Sequence, residues 1–357
     1  MKLIFVGYLH GFGGAEKMEI KLANAMVERG HEVTFISLVS NNLKYDISNK
    51  INYIYIADKG NNKIRILFNR YKRLKEILSR EQHDVSIHFW LQSAYLSAFM
   101  GKKIARKVIY SERGDPSDKE YENILGVLRS IAFCKIGGVV FQSRGARDYF
   151  SDKIKKKSCV IHNPVFLRAE DYSPPVIREK RIVTTGRLHE QKNQKLLIDA
   201  FASLPENKSE FSLEIYGEGE LRKKLQEQID ALGLQNRVFL KGAFKDVHKR
   251  IVGASLFVLS SDYEGMPNAL LEAMVLGLPC VSTDCKPGGA RELIQSGKNG
   301  IIVPCGSVKE LTEMMNEVLS NVYMANKLGE NAKKVIKNAN PNIVFNEWEK
   351  FFEMIKC

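Results

Sequence analysis

Short, continuous apolar runs alternate along this chain with longer segments whose apolar positions recur every three or four residues. In the first half the runs are Leu3–Val6, Val33–Leu38, Ile51–Ile56, Val85–Phe89, Val108–Ser111, Val139–Phe141 and Val160–His162. Rich in β-branched and aromatic residues, they predict strands buried on both faces. Between several of them, Glu16–Arg29, Ile64–Arg80, Tyr121–Phe133 and Arg144–Phe150 carry a helical period. The pattern restarts after residue 180. Strands are predicted at Ile182–Thr185, Ser212–Tyr216, Val238–Leu240, Ser255–Leu259, Cys280–Thr283 and Ile301–Val303. Helices are predicted at Asn193–Leu204, Glu220–Gly233, Asn268–Leu276, Arg291–Ser296, Lys309–Ser320 and Ile343–Lys356. Pro164, Pro174 and Pro175 disfavour helix between the halves. The expected architecture is therefore α/β: two doubly wound parallel domains over 1–164 and 181–338, an extended linker over 165–180, and a last segment at 339–357. Such sheets bind ligands at the carboxyl ends of their strands, which makes the cleft between the domains the expected site.

Composition narrows the class. At 357 residues the chain exceeds the roughly 250–300 at which a single core stops growing. With 44% apolar and 27% charged residues, disorder and fibrous repeats are excluded. The six cysteines form no CxxC pair and no zinc-finger spacing, so reduced thiols are expected and no metal site. The apolar run at the start is shorter than the roughly 7–15 residues of a signal h-region. No stretch approaches the ~18–20 apolar residues of a membrane span. The expected location is the cytoplasm, with membrane contact only from the surface.

Charge is unevenly spread. The whole chain carries +13. Residues 1–164 hold 28 Lys+Arg and 16 Asp+Glu (28 − 16 = +12), and residues 165–357 hold 26 and 25 (26 − 25 = +1). The two halves thus face different partners.

Three strings carry candidate chemistry. GYLHGFGGAEK, residues 7–17, runs from strand to helix; its glycines admit a close ligand and the helix start favours an anion. It lacks the GxGxxG and following acid of a dinucleotide fingerprint, and a plain glycine-rich turn remains its alternative. TTGRLHEQKNQ, residues 184–194, places Arg187 and Lys192 around a helix start, where two cations suit a diphosphate; two solvated charges are the alternative. SSDYEGMPNALLE, residues 260–272, sets Glu264 in a loop. Pro267 suits the first helical turn, so Glu272 falls more than one turn into the helix and the N–H groups of 268–271 are exposed for phosphate.

Together these strings resemble the retaining GT-B glycosyltransferases of family 4 over essentially the full chain. The resemblance rests on GGAE at 13–16, HNP at 162–164, GRLHEQKN at 186–193, YGEGE at 216–220, EGMPNALLE at 264–272 and GGARELIQSGKNGIIVP at 288–304. It implies two facing Rossmann-like domains, with the C-terminal helix crossing back to the first. It also implies transfer of a sugar from a nucleoside diphosphate, usually a UDP-sugar, with retention and no metal ion. Carried over by position, Gly14, with Gly13 beside it, would stand near the phosphates. Arg187 and Lys192 would neutralise the diphosphate, while Glu264 and the backbone of Gly265, Met266 and Pro267 would hold the donor sugar. Leu270 and Leu271 would offer N–H groups beside Asn268, and Glu272 would bind ribose hydroxyls. The first domain would take the acceptor. No DxD motif stands in a strand-end loop, so cations and the helix dipole must meet the leaving diphosphate.

One position departs from the family. After VIYS at 108–111 many relatives place a histidine that contacts the donor sugar; here the run is SERGDP, with Glu112, Arg113 and Asp115. Arg113 and Glu112 are candidates for placing sugar or phosphate, against a structural ion pair among these charges.

Residues 61–81 put Ile64, Leu67, Phe68, Tyr71, Leu74 and Leu78 on one helical stripe, read as core packing. The other face carries Lys63, Arg65, Arg70, Lys72, Arg73, Lys75 and Arg80. Arg70 and Arg73 belong to a surface expected to meet an anionic membrane or a lipid-diphosphate-linked saccharide acceptor, with a merely solvated face as the alternative. Nucleic acid is excluded: no helix-turn-helix, zinc module or RNP-type aromatic pattern is present. Besides a transferase of bacterial surface-polysaccharide assembly, peripheral at the inner face of the membrane, two readings stand. They are a UDP-sugar epimerase of the same shape and a nucleotide-sugar binding protein without turnover.

Overall fold

The computed structural model describes residues 1–8, 14–39, 45–57, 62–118, 121, 124–172 and 175–356. It divides into two compact units, Met1–Asn163 with Asn342–Cys357, and Pro164–Pro341.

In the first unit, β1 (Lys2–Gly7), β2 (Glu32–Ser37), β3 (Asn52–Tyr55), β4 (Val85–His88), β5 (Val108–Ser111), β6 (Gly138–Phe141) and β7 (Ser158–Val160) form one sheet. Its order is β3-β2-β1-β4-β5-β6-β7, and every pair is parallel. Alternate residues serve opposite faces. Leu3 and Phe5 pack with Phe35 and Ile87 on one side, and Ile4 and Val6 pack with Ile36, Leu74 and Leu78 on the other.

The helix Pro341–Lys356 closes the first of these faces. Val344, Phe345, Trp348, Phe351 and Phe352 are buried in that core. At roughly 1.5–3 kcal/mol for each large apolar side chain, this stripe holds the helix to the first unit. Glycines allow the approach: a Cβ at Gly138 would stand 2.6 Å from Phe351 Cζ. Arg29 Nη2 and His31 Nε2 both reach Glu349, at 2.7 and 2.8 Å.

In the second unit, β8 (Glu179–Thr185), β9 (Ser212–Tyr216), β10 (Val238–Gly242), β11 (Ala254–Leu259), β12 (Cys280–Thr283) and β13 (Ile301–Val303) lie in the order β10-β9-β8-β11-β12-β13. All pairs are again parallel.

Two sequence expectations are corrected. The segment 165–180 is not a free linker. Val165 is buried, its N–H donates to Ala339 O at 2.8 Å, and Leu167 and Tyr172 pack on the second core. The stripe on helix Lys63–Arg80 is core only at its end, through Leu74, Ile77 and Leu78, whereas Ile64 and Phe68 are 80% and 63% exposed. The reason is length. The helix has 18 residues, about 27 Å at 1.5 Å each, against strands β3 and β4 of four residues, about 13 Å. Helix Ile124–Lys135 likewise buries only Arg129, Ala132 and Phe133, exposing Ile124, Leu125, Val127, Leu128 and Ile131. Among the described residues no helix is long and apolar enough to cross a membrane.

Candidate functional site

In the second unit the strand order reverses between β8 and β11, so the loops leaving their carboxyl ends diverge and open a crevice. These loops are the GRLHEQK and SSDYEG strings. The first is fixed by glycine. Gly217 sits at φ +151 against Gly186 O, where a Cβ would come within 1.8 Å, and a Cβ at Gly219 would come within 2.2 Å of Leu188 O. Gly186 N donates to Tyr216 O at 2.9 Å and Leu188 N to Glu218 O at 3.0 Å. The YGEGE string thus exists to lace its loop onto GRL. Asn193 takes the left-handed conformation at φ 43. Its side chain accepts from Leu196 N at 3.2 Å, capping the next helix, and donates to Asp262 Oδ1 at 2.8 Å.

At the meeting of the two loops Glu264 is 6% exposed. Its Oε1 accepts from Lys192 Nζ and, at 2.8 Å, from Ser261 Oγ. Its Oε2 has only a long contact from Gln191 Nε2, at 3.4 Å, and keeps accepting capacity for a hydroxyl donor. Lys192 therefore compensates Glu264 and does not stand free. Arg187, exposed, has no hydrogen bond or ion pair from its side chain among the described residues. It is the uncommitted positive charge of the pair named from sequence.

Beyond Glu264 the loop is clamped. Glu264 N donates to Lys286 O at 2.6 Å, and a Cβ at Gly289 would meet Gly265 O at 2.3 Å, which accounts for the GGA string downstream. Met266 is buried. Pro267 is the cap itself, and helix Asn268–Val275 begins one residue later. That corrects one expectation. Leu271 N already donates to Pro267 O at 3.0 Å, because it is the first position with a carbonyl four residues back. Only Asn268, Ala269 and Leu270 precede that bonding and can turn N–H groups to an anion. Glu272 Oε2 lies 3.0 Å from His248 Nε2, so a ribose would meet a Glu–His pair.

In the first unit, Gly13 lies outside the described residues; a Cβ at Gly14 would meet nothing within 4 Å, so packing does not require glycine there. Arg70 stacks over Tyr8 at 5.4 Å, and Arg73 pairs with Glu76 at 3.0 Å. The SERGDP charges form no ion pair with one another. Glu112 is buried, its Oε1 accepting from Arg113 N and Gly114 N at 3.1 and 3.2 Å, and burial raises its carboxyl above the usual range. Arg113 turns away to Asn163 Oδ1, at 2.5 Å, and lies 4.3 Å over the Phe89 ring. Burial brings its guanidinium down to about 9, against the opposing charges of Glu19, Tyr110 and Glu112.

Sequence reasoning missed Ser261, Gln191 and His248. The first two sat inside quoted strings without a role, and His248 lies outside every motif.

Two family models match the sequence, one in each half: residues 173–335 match glycosyl transferases group 1, and residues 12–168 match glycosyltransferase family 4. One curated relative is the GalNAc-α-(1→4)-GalNAc-α-(1→3)-diNAcBac-PP-undecaprenol α-1,4-N-acetyl-D-galactosaminyltransferase of Campylobacter jejuni. It is 25% identical over 363 residues, covering 100% of this chain and 99% of the relative. The lipopolysaccharide 1,6-galactosyltransferase of Salmonella typhimurium is 34% identical over 167 residues, 45% of this chain and 46% of its own. Among solved structures, Anabaena HepE in complex with UDP superposes with a TM-score of 0.81 at 20% identity, over 98% of this chain and 99% of that one.

Proposed function

We propose that this chain, which belongs to the GT-B glycosyltransferases of family 4, moves a hexose or N-acetylhexosamine from a UDP-sugar to a saccharide acceptor carried on a lipid diphosphate. The observation that carries the reading is the β8/β11 crevice. There a buried glutamate is compensated by Lys192, the same β8 loop carries an exposed, unpaired Arg187, and helix Asn268–Val275 follows the glutamate in the chain. The acceptor oxygen bonds to the anomeric carbon as the bond from that carbon to the phosphate oxygen breaks. UDP keeps the electron pair and its departing oxygen takes the acceptor proton. Attack and departure on one face retain the anomeric configuration. Arg187 and the N–H groups of Asn268, Ala269 and Leu270 stabilise the charge that grows on UDP, with Lys192 contributing only as far as its pairing with Glu264 allows, and no metal ion is required. The UDP in the HepE complex and the undecaprenol in the Campylobacter name support donor and acceptor class.

A lipid-linked acceptor calls for a surface that meets a membrane. Ile64, Leu67 and Phe68, and the apolar strip of helix Ile124–Lys135, are exposed among Lys63, Arg65, Lys72 and Lys75. Phe99 joins the two helices: Tyr71 Oη donates to its carbonyl at 3.3 Å, and Lys135 sits 4.3 Å from its ring. Basic residues at an anionic surface contribute about 1 kcal/mol each, so the protein sits peripherally on the cytoplasmic leaflet. Sedimentation with anionic vesicles at low salt tests this surface; no recruitment removes it.

The central experiment is UDP release from a panel of UDP-sugars against polyprenyl-diphosphate-linked saccharides, with and without chelator. Release is expected to depend on acceptor, to be indifferent to chelator, and to give an α-linked product from an α-linked donor. Acceptor-independent conversion of the donor would make the chain an epimerase; UDP binding without release would make it a binding protein.

A further inference from the structure

Glu272 is the carboxylate that the donor reading gives to ribose, and two residues outside every motif hold it in place. It is the fifth residue of helix Asn268–Val275, with its side chain 34% exposed. A glutamate so open to solvent samples several rotamers, and immobilising it when a ligand arrives costs affinity. Here it is already held. Oε2 accepts from His248 Nε2 at 3.0 Å, while Oε1 has no hydrogen bond or ion pair among the described residues.

The histidine is held in turn. Helix Val247–Ile251 buries Ile251, and Val247 and Ile251 pack in the same core as Leu271 and Val275. The Tyr172 ring meets the His248 ring edge-on, with 76° between the planes and 6.0 Å between the centroids. Tyr172 itself packs on that core from the segment before β8. All three residues lie in the second unit. An ion pair with this much solvent access adds little to stability, so its effect lies in where it leaves the carboxylate. We infer that His248, and Tyr172 behind it, are positioning residues for the nucleoside: they hold Glu272 with Oε1 ready for the ribose hydroxyls of a nucleoside diphosphate. Giving the ribose to Glu272 rests on the donor reading above.

Calorimetric titration of the whole protein with UDP and with 2′,3′-dideoxy-UDP reads this role, because the analogue keeps base and diphosphate and lacks both hydroxyls. Wild type should prefer UDP about tenfold, the scale of a hydrogen bond to a charged group. Glu272→Ala should abolish the preference. His248→Leu should cut it about fivefold and Tyr172→Leu about threefold, both by weakening UDP while the affinity for the analogue holds. His248→Gln, whose amide can still donate to Glu272, should restore it. Tyr172→Leu keeps an apolar side chain on the core and carries the test if His248→Leu does not fold. A wild-type preference in both leucine variants, or an equal loss of both ligands, would overturn the positioning role and leave the donor reading intact. UDP binding without any preference in wild type would overturn the role of Glu272 and its supports together. No UDP binding at all would remove the donor reading itself, and this role with it.

Discussion

Lys192→Met separates two roles that the Lys192–Glu264 pair could play. Glu264 is 6% exposed and the lysine side chain 20%, so both charges are substantially withdrawn from water. Removing one partner of a buried pair costs roughly 3–5 kcal/mol. Ser261 and Gln191 still donate to Glu264, which places the expected loss near the lower end, about 3 kcal/mol. For a domain of this size each kcal/mol lowers Tm by about 2–4 °C, so the second unit should melt about 6–12 °C earlier. Glu264→Gln keeps the hydrogen-bond geometry, releases the lysine charge, and should cost less. UDP affinity then distinguishes the roles. If Lys192 also acts on the diphosphate, Lys192→Met weakens UDP about tenfold, the scale of one hydrogen bond to a charged group. Glu264→Gln, by freeing that charge, does not weaken it, although turnover falls because the donor sugar loses its acceptor. Calorimetric titration with UDP beside thermal unfolding reads both quantities. Equal weakening of UDP by the two variants would mean that the loop simply collapses, and would refute a direct role for the lysine. Unchanged melting in Lys192→Met would refute the pair as a structural element.

Gly217→Ala drives a Cβ to 1.8 Å from Gly186 O at φ +151 and should destabilise the second unit by at least about 2 kcal/mol and abolish transfer; a wild-type melting curve would contradict the lacing of the two loops. His88 is buried between Ser93 Oγ and Ser86 Oγ, and burial lowers its pKa from 6.5 to about 3. The folded chain therefore keeps it neutral while the unfolded chain protonates it, so stability is full above pH 6.5 and falls by about 1.4 kcal/mol per pH unit below it. Urea unfolding of His88→Asn should lose that slope. Glu349 has a carboxyl pKa below the usual 4.5, chiefly through its hydrogen bond from Arg29. Its contribution is present above that value and disappears as pH falls through the lowered one, so Glu349→Gln should weaken the first unit at neutral pH and close the gap to wild type in acid.

Strand positions in both sheets were readable because a strand covered on both faces must be apolar throughout. Val108–Ser111, Ser212–Tyr216, Cys280–Thr283 and Ile301–Val303 stand where the runs predict them. Val160–His162 slid to Ser158–Val160, since a run at a sheet edge is fixed by the neighbouring strand's register and not by its own hydrophobicity. Helix Leu91–Ala98 left no clear period, being short and burying Ser93 and Ser97, whereas helix Val322–Ala332 buries Ala325, Leu328, Gly329 and Ala332 at helical spacing but on small residues, one of them Gly329, where a Cβ would meet Gly277 O at 2.3 Å. What decides such segments is the neighbour they pack against, which lies far away in sequence.

The site was legible to the same depth and no further. Motif strings identify residue types that chemistry needs, and two of those named, Lys192 and Glu264, do pair where the two loops meet. Strings cannot express how the gathered charges divide their attention. Lys192 and Arg187 look alike in sequence, yet one is spent on a buried carboxylate and the other is open to solvent. Glu112 and Arg113 are adjacent and opposite in charge, the simplest possible ion pair, yet Glu112 Oε1 takes two backbone N–H groups and Arg113 Nη1 turns to Asn163, leaving Glu112 Oε2 and Arg113 Nε without a partner.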